Sequence, residues 1–429
     1  MNSTACRVDT PTPGSPTPGT PSPGTPAPST GPTPAMAWEQ ARAVARESAA
    51  MPLPPVHREL PEALGHALAE PLTAHTDLPP FDTAAMDGWA VAGPGPWRLH
   101  GGRVLAGAQP GPLAPGTAVS LATGAPLPPG ATAVLRREHG EIRPPDGTLH
   151  HRAPGPPAPG RDIRPRGQEC RSGAPLLPAG TTVTPAVLGL AAAAGHDRLA
   201  VHRRPTVELL LLGDELLDHG LPRAGHVRDA LGPLLPPWLR HNGAEVTAVH
   251  RVPDALGPLR DAVRRSPADL VVTTGSTAAG PADFLHRALA ESGARLHVDS
   301  VAVRPGHPML LAELPATANT PPTLLAGLPG NPLAAVAGTV TLVAPLLRRL
   351  GGHRDGTTRR ATLASALPGH PRDTRLLPVR LTEDGAVPVA YDGPAMLRGL
   401  ATADALAVIP PGGLAAGAGA ELLPVPPAP

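Results

Sequence analysis

From residue 204 onward, short apolar runs alternate with stretches whose apolar residues recur at helical spacing. Val207 to Leu212 is an apolar run interrupted only by Glu208 and closed by Gly213, the texture of a strand buried on both faces. The segment after Gly225 reads as a helix ending near His241-Asn242-Gly243. AEVTAVH then reads as a strand, LGPLRDAVRRS as a helix, and ADLVVTTG (Ala268 to Gly275) as a strand entering a small-residue loop. ADFLHRALAESG is the next helix and HVDSVAV the next strand. LLAGLPGNPLAAVAGTVTLVAPLLRRLGG closes the series as strand, loop and long helix. This alternation predicts an α/β layer sandwich, with ligand-binding loops at the carboxyl ends of its strands.

Upstream the texture differs. AWEQARAVARESAA, around Trp38, predicts an amphipathic helix, and His57 to Leu72 reads as a second one interrupted by Pro61 and Gly65. Between Leu78 and Val201, runs such as GTAVSLATGA and ATAVLRREHG are punctuated by Gly and Pro, the pattern of small β-rich modules. LLPVRL, ALAVIPPG and AELLPV, beyond residue 365, predict a small β domain. Ten of the 24 residues from Pro11 to Pro34 are proline, so this stretch reads as an extended spacer with nothing to bury.

Composition narrows the functional classes. The 63 prolines and 48 glycines of 429 residues would suit a low-complexity chain, but 41% hydrophobic residues leave material for a core. One Tyr and two Phe mean cores of Leu, Val and Ala. A net charge of +1 and so few aromatic rings argue against nucleic-acid binding. Cys6 and Cys170 supply neither a disulfide framework nor a thiolate metal site, which suits a reducing compartment. Neither a basic leader nor an apolar run of about 18 residues free of Pro, Gly or charge is found. A cytoplasmic protein engaging neither membrane nor nucleic acid is expected.

Three loops at strand ends carry candidate chemistry. Gly213-Asp214-Glu215-Leu216 sets two carboxylates beside a glycine, suited to a hard cation such as Mg²⁺, though Gly-Asp is also an ordinary turn pair. Thr273-Thr274-Gly275-Ser276-Thr277-Ala278-Ala279-Gly280 offers backbone N–H groups and hydroxyls to an anion, without the ending of a Walker loop; a plain strand-to-helix connection has the same texture. In Leu328-Pro329-Gly330-Asn331-Pro332, Pro332 suits a first helical turn and Asn331 its cap. Arg304-Pro305-Gly306-His307-Pro308 puts a fixed cation and a titratable ring on one turn. Asp82, Met86-Asp87-Gly88 and Ala122-Thr123-Gly124 remain ordinary turns or a further site.

In this order, DLPPFDTAAMDGWAV, ATGAPLPPGATAV, GRDIRPRGQE, RRPTVELLLLGDELL, GHVRDALGPLL, TTGSTAAGPADF, RPGHPM and GLPGNPLAAV resemble the MoeA family, the molybdopterin molybdenumtransferases also found as the E domain of gephyrin. The likeness runs from about Trp38 to the C-terminus. It implies a multidomain α/β protein with a disordered Pro-rich tail over 1–37 and an elongated N-terminal α+β region over 38–203. A MogA/MoeA-like three-layer α/β domain for molybdopterin would cover 204–352, and a C-terminal small β domain 353–429. It also implies a homodimer whose cleft takes adenylylated molybdopterin and molybdate, uses Mg²⁺, releases AMP, and is supplied by a molybdopterin adenylyltransferase. Carried over by motif, the catalytic acids fall on Asp87, Glu215, Asp254 and Asp283, the last three being the metal ligands. Ligand contacts fall on Thr123, Thr274, Gly275, Ser276, Gly280, Arg304, His307, Pro329, Asn331 and Pro332.

The departures are equally specific. DNSAMDG reads DTAAMDG, giving Thr83 and Ala84; TGDEL has Leu212 for its threonine; DSN reads Asp229-Ala230-Leu231. GGVSVG has become Gly275 to Gly280 with Ser276 and Ala278, KPGKP has become Arg304 to Pro308, and the aspartate of P-x-G-x-D is Thr132. Compositional drift suffices for Arg304 in a chain without lysine, but arginine does not meet an anion as lysine does. Two readings follow: a working transferase with a divergent pocket, or a weakened relative that holds molybdopterin as scaffold or carrier, its lost polar groups clustering round one cleft.

Overall fold

The computed structural model describes residues 34–275, 277, 284–316 and 322–426. The tail expected to be disordered lies outside these residues, apart from its last four.

The central sheet has six strands in the order Glu245–Val252, Thr206–Leu212, Leu270–Thr274, Thr323–Leu328, Leu310–Leu314, Arg295–Asp299. The first four run parallel, Leu310–Leu314 runs against them, and Arg295–Asp299 pairs antiparallel with Leu310–Leu314. Alternation along Thr206–Leu212 decides the layers. Val207, Leu209 and Leu211 enter one core with the helices Leu231–His241 and Pro332–Leu350. Leu210 and Leu212 point the other way, into a core with Leu256–Arg265 and Phe284–Glu291. The expected α/β sandwich is thus present, with helices on both faces.

Register gathers the functional loops. Leu212 lies opposite Val252, Leu211 opposite Thr274, and Thr274 opposite Leu328. These strands therefore finish level, and the chain segments that follow them emerge at one end of the sheet.

The closing helix, Pro332–Leu350, is apolar enough for a bilayer by length and composition alone, but its apolar surface packs in the protein core. Its middle, Thr339–Val343, widens into a π turn just ahead of Pro345, which has no N–H to give the preceding turn. The amphipathic helix Trp38–Glu47 lies against it, burying Trp38, Ala41 and Ala45. The Trp38 indole donates to Thr341 Oγ1 at 3.0 Å and the Arg42 guanidinium to the Val340 carbonyl at 3.0 Å.

The second N-terminal helix is not formed. Pro55–Glu59 is a strand paired antiparallel with Arg198–His202, followed by a 3₁₀ turn over Leu60–Ala63. A partner far along the chain overrides the local helical spacing. Between those strands is inserted a four-stranded module of Arg98–Val104, Thr117–Leu121, Gly88–Val91 and Ala133–Arg136. It is shut at its base by Thr83–Ala84 against Ile163–Arg164 and by the paired Arg136–Asp162 hydrogen bonds of 2.9 and 2.7 Å.

HVDSVAV, read as one strand, is two. Arg295–Asp299 stays in the central sheet, Ser300 turns with φ 70°, and Val301–Arg304 enters the C-terminal sheet. That sheet runs Met36–Ala37, Val301–Arg304, Thr374–Thr382, Ala405–Ile409, Gly419–Pro424, Arg359–Thr362, with Gly385–Pro388 off its path. Residues from both ends of the chain and from the central domain thus share one hydrogen-bonded layer, which anchors the Arg304 turn.

Candidate functional site

Where the parallel strands end, two acidic loops clasp each other. Asp214 N donates to Asp254 Oδ2 and Asp254 N to Asp214 Oδ1, both at 3.3 Å. One oxygen of each carboxylate is occupied and the other lies outside the bond. The partner of Asp254 is thus Asp214 rather than Glu215; the adjacent acids of the GDEL turn were visible, but not which of them would face Asp254. Glu215 folds its carboxylate back beside Gly213, and its carbonyl accepts from Val227 N at 2.9 Å.

Asp229 steadies this region. Buried, it accepts from Leu231 N at 2.9 Å and Gly232 N at 3.0 Å, capping the helix Leu231–His241. Its other oxygen accepts from Arg251 at 2.8 Å, and Arg251 also pairs with Asp218. The strand leading to Asp254 is thereby tied to the loop leading from Glu215.

Gly275, φ 86°, follows Thr274 and donates its N–H to the Leu328 carbonyl at 2.9 Å. Thr274 itself is buried. Gly330 approaches so closely that a Cβ there would sit 3.6 Å from Gly275 Cα. Pro329, Gly330 and Asn331 are therefore brought to the anion-loop stem. Ser276, Gly280 and Asp283 lie outside the described residues, and among those described no three His, Cys, Asp or Glu form a group able to hold a metal.

Asn331 occupies the cap position, but its side chain makes no capping bond. Instead the first-turn N–H groups of Leu333 and Ala334 both donate to the Pro394 carbonyl, at 2.9 and 3.3 Å. The orphan donors of that helix end are thus taken by the C-terminal domain. Arg304 is also engaged there, its Nε 2.8 Å from Asp373 Oδ2, while its side chain stays 56% exposed. Neither Pro394 nor Asp373 had any local signal, because each acts across a domain boundary. His307 Nδ1 is buried without a hydrogen-bond partner among the described residues. Gly306, φ 107°, holds the turn against the closing helix, where a Cβ would lie 3.0 Å from the Ala334 carbonyl.

Asp87 and Thr123 meet within the inserted module. Asp87 Oδ1 accepts from Thr123 N at 2.6 Å and from Thr123 Oγ1 at 3.0 Å. The backbone bond first, then the hydroxyl, holds the carboxyl below the usual range, with Arg103 and Arg137 assisting. The next residue must be glycine: a Cβ on Gly88, φ 156°, would come within 2.0 Å of the Leu135 carbonyl. No hydrogen bond or ion pair among the described residues joins 82–164 to 204–352, so the Asp87 pair and the Asp214–Asp254 clasp are separate constellations in one chain.

Three of the departures are core side chains. Ala84, Leu212 and Leu231 are buried in three different apolar cores. Thr132 bridges backbone, accepting from Gly93 N and donating to the Val91 carbonyl, each at 3.1 Å. Ala278 lies outside the described residues. At these positions polar groups have been exchanged for packing, which a core accepts more readily than an unpaired amide.

Three family models match the chain in sequence. Residues 36–195 match "MoeA N-terminal region (domain I and II)", 208–349 "Probable molybdopterin binding domain", and 360–425 "MoeA C-terminal region (domain IV)". A molybdopterin molybdenumtransferase of Synechococcus elongatus is 33% identical over 70% of this chain and 77% of its own length. Molybdopterin molybdenumtransferase 2 of Mycobacterium tuberculosis is 31% identical over 86% and 94%. A Nostoc counterpart, 34% identical, aligns over 46% of its length only. A molybdopterin biosynthesis MoeA protein from Pyrococcus horikoshii superposes with TM-score 0.71 at 26% identity, covering 91% of this chain and 98% of that one. With the domains in the same order and two relatives spanned over most of their length, the chain belongs to the MoeA family of molybdopterin molybdenumtransferases.

Proposed function

We propose that this protein transfers molybdate onto the dithiolene of adenylylated molybdopterin and releases AMP, acting in the cytoplasm as a homodimer. The observation that carries the reading is the Asp214–Asp254 clasp beside Gly275 and Gly330, at the end of a parallel sheet where such domains bind ligand. Backbone N–H groups of the Gly275 loop and the Arg304 guanidinium would receive the phosphate and molybdate charge. His307, whose Nδ1 has no hydrogen-bond partner among the described residues, would offer a ring N–H to an oxyanion.

Asp214 and Asp254 are hard oxygen ligands brought together by their clasp, and Mg²⁺ ordinarily takes one or two protein carboxylates together with waters and substrate phosphate. These two would hold it; Glu215 does not join them in a group of three able to hold a metal among the described residues. When bound the ion would offset phosphate charge and polarise the bridging oxygen.

Thr123 favours the ionised form of Asp87, in a module that has no polar ties to the central domain among the described residues; in this reading Asp87 acts in the cleft of a second subunit. Mixing Asp87→Asn and Asp254→Asn proteins should restore AMP release that neither shows alone; no recovery from exchanged, folded subunits would refute a shared cleft. The reaction itself is tested by incubating the purified protein with adenylylated molybdopterin, molybdate and Mg²⁺ and quantifying AMP. An adenylyltransferase that makes this substrate is the natural donor partner, and hand-over between the two proteins is testable by co-purification.

A second reading has support of its own. Arg304 is already paired with Asp373, and Pro394 occupies the first-turn donors of the closing helix, which suits a protein that holds molybdopterin as scaffold or carrier. Stoichiometric retention of the ligand without AMP release would favour it. Restoring the lost amide by Leu231→Asn is a poor test, because Leu231 is a core side chain; His307→Lys is the informative reversion.

A further inference from the structure

Arginine is unevenly distributed. The chain has 36 in 429 residues, about one in twelve, yet a cleft of about 880 Å³ carries six among its 24 lining residues. The cleft lies between the N-terminal helix, the C-terminal end of the closing helix, the segment 354–359 and the strand residues Glu421 to Pro424. Only two carboxylates, Asp355 and Glu421, line it, leaving an excess of four positive charges.

Most internal contacts orient these cations without neutralising them. Arg42, Arg348 and Arg349 donate to backbone carbonyls of Val340, Arg354 and Ala49. Arg46 pairs with Asp355 at 3.5 Å. Among the described residues, the guanidinium groups of Arg354 and Arg359 have neither hydrogen bond nor ion pair. Burial lowers the Arg42 pKa from its ordinary value, with Glu421 and Glu39 opposing and Arg46 adding to it. The carboxyl end of the closing helix adds about half a negative charge, far below the excess. The cleft is lined by the closing helix from Val340 onward, about 12 Å or more along its axis from the Pro332 end that meets the strand-end loops.

We propose that this cleft binds a small polyanion carrying two or more phosphate groups, at a site separate from the transferase cleft. The planar guanidinium fork matches phosphate oxygens in pairs, and the volume is that of a pocket for a nucleotide-sized ligand. Trp238 and Leu422 to Pro424 form a wall for an uncharged portion. The inference stands independently of the proposed reaction.

Calorimetric titration of the full chain in about 0.15 M salt, without divalent metal, tests it with inorganic tripolyphosphate and with ATP, against chloride of equal ionic strength. Expected is saturable binding that weakens at least tenfold in the double variant R354Q/R359Q and stays within twofold in R304Q. Both altered residues of the double variant are exposed, and an unchanged melting curve verifies its fold. Equal binding of the two probes assigns recognition to the phosphates, and tighter ATP binding adds the apolar wall; either supports the site. Heat that follows ionic strength alone overturns the proposal, as does binding lost in R304Q but retained in R354Q/R359Q.

Discussion

Replacing Asp229 separates the two tasks of one buried carboxylate. In D229A the helix Leu231–His241 loses a cap that accepts two backbone N–H groups, a loss of about 1 to 2 kcal/mol. Arg251 loses its buried partner as well. Breaking a fully buried pair costs about 3 to 5 kcal/mol, but here Arg251 is 35% exposed and retains Asp218. Roughly 1.5 kcal/mol is a fair share for that pair after this discount, so D229A should cost about 3 kcal/mol in all. D229N keeps an oxygen for the cap and loses the charge, so about half that cost is expected. Trp238 lies on the capped helix, and its fluorescence during urea unfolding reports the loss directly. AMP release should fall more in D229A than in D229N, because the tie from Asp229 to Arg251 bridges the Glu215 loop and the strand leading to Asp254. A D229A protein within about 0.5 kcal/mol of wild type, or an Asn variant as damaged as Ala, would refute this account.

Three further outcomes are expected. In T123V the hydroxyl bond to Asp87 is lost while the backbone bond remains, so the Asp87 pKa rises part-way and the acid limb of the rate–pH profile moves to higher pH; an unshifted limb would remove Asp87 from the reaction. His353 is pushed down to about 4, mainly by burial and then by Arg348. The unfolded chain therefore binds a proton that the native protein does not, and stability drops as pH falls from about 6.5 towards 4, by roughly 3 kcal/mol at most. H353N should flatten that slope in melts at stepped pH, and an unchanged slope would locate the effect elsewhere. R304Q breaks an ion pair whose arginine is more than half exposed, so it should cost under about 1 kcal/mol of stability. AMP release should nonetheless drop at least tenfold, consistent with one lost contact to a charged group; equal activity would take Arg304 out of the anion site.

Much of the central domain could be read from the chain itself. Val207–Leu212, Ala268–Gly275 and the closing helix carry patterns that local sterics and burial alone decide, and the motif order alone indicates the family. The loops holding Asp214, Gly275 and Asn331 were legible for the same reason, since each is the turn that ends such an element; Asp254 entered only through the family resemblance. What needed the tertiary structure were the pairings across long separations. Pro55–Glu59 is a strand because Arg198–His202 lies beside it, and HVDSVAV divides because two sheets compete for it at Ser300. Asp214 rather than Glu215 meets Asp254, Asp373 holds Arg304, and Pro394 supplants the Asn331 cap. Local pattern records which face of an element is apolar. Which charge or carbonyl arrives at its end depends on where distant segments pack, and that free energy exists only once the chain has closed on itself.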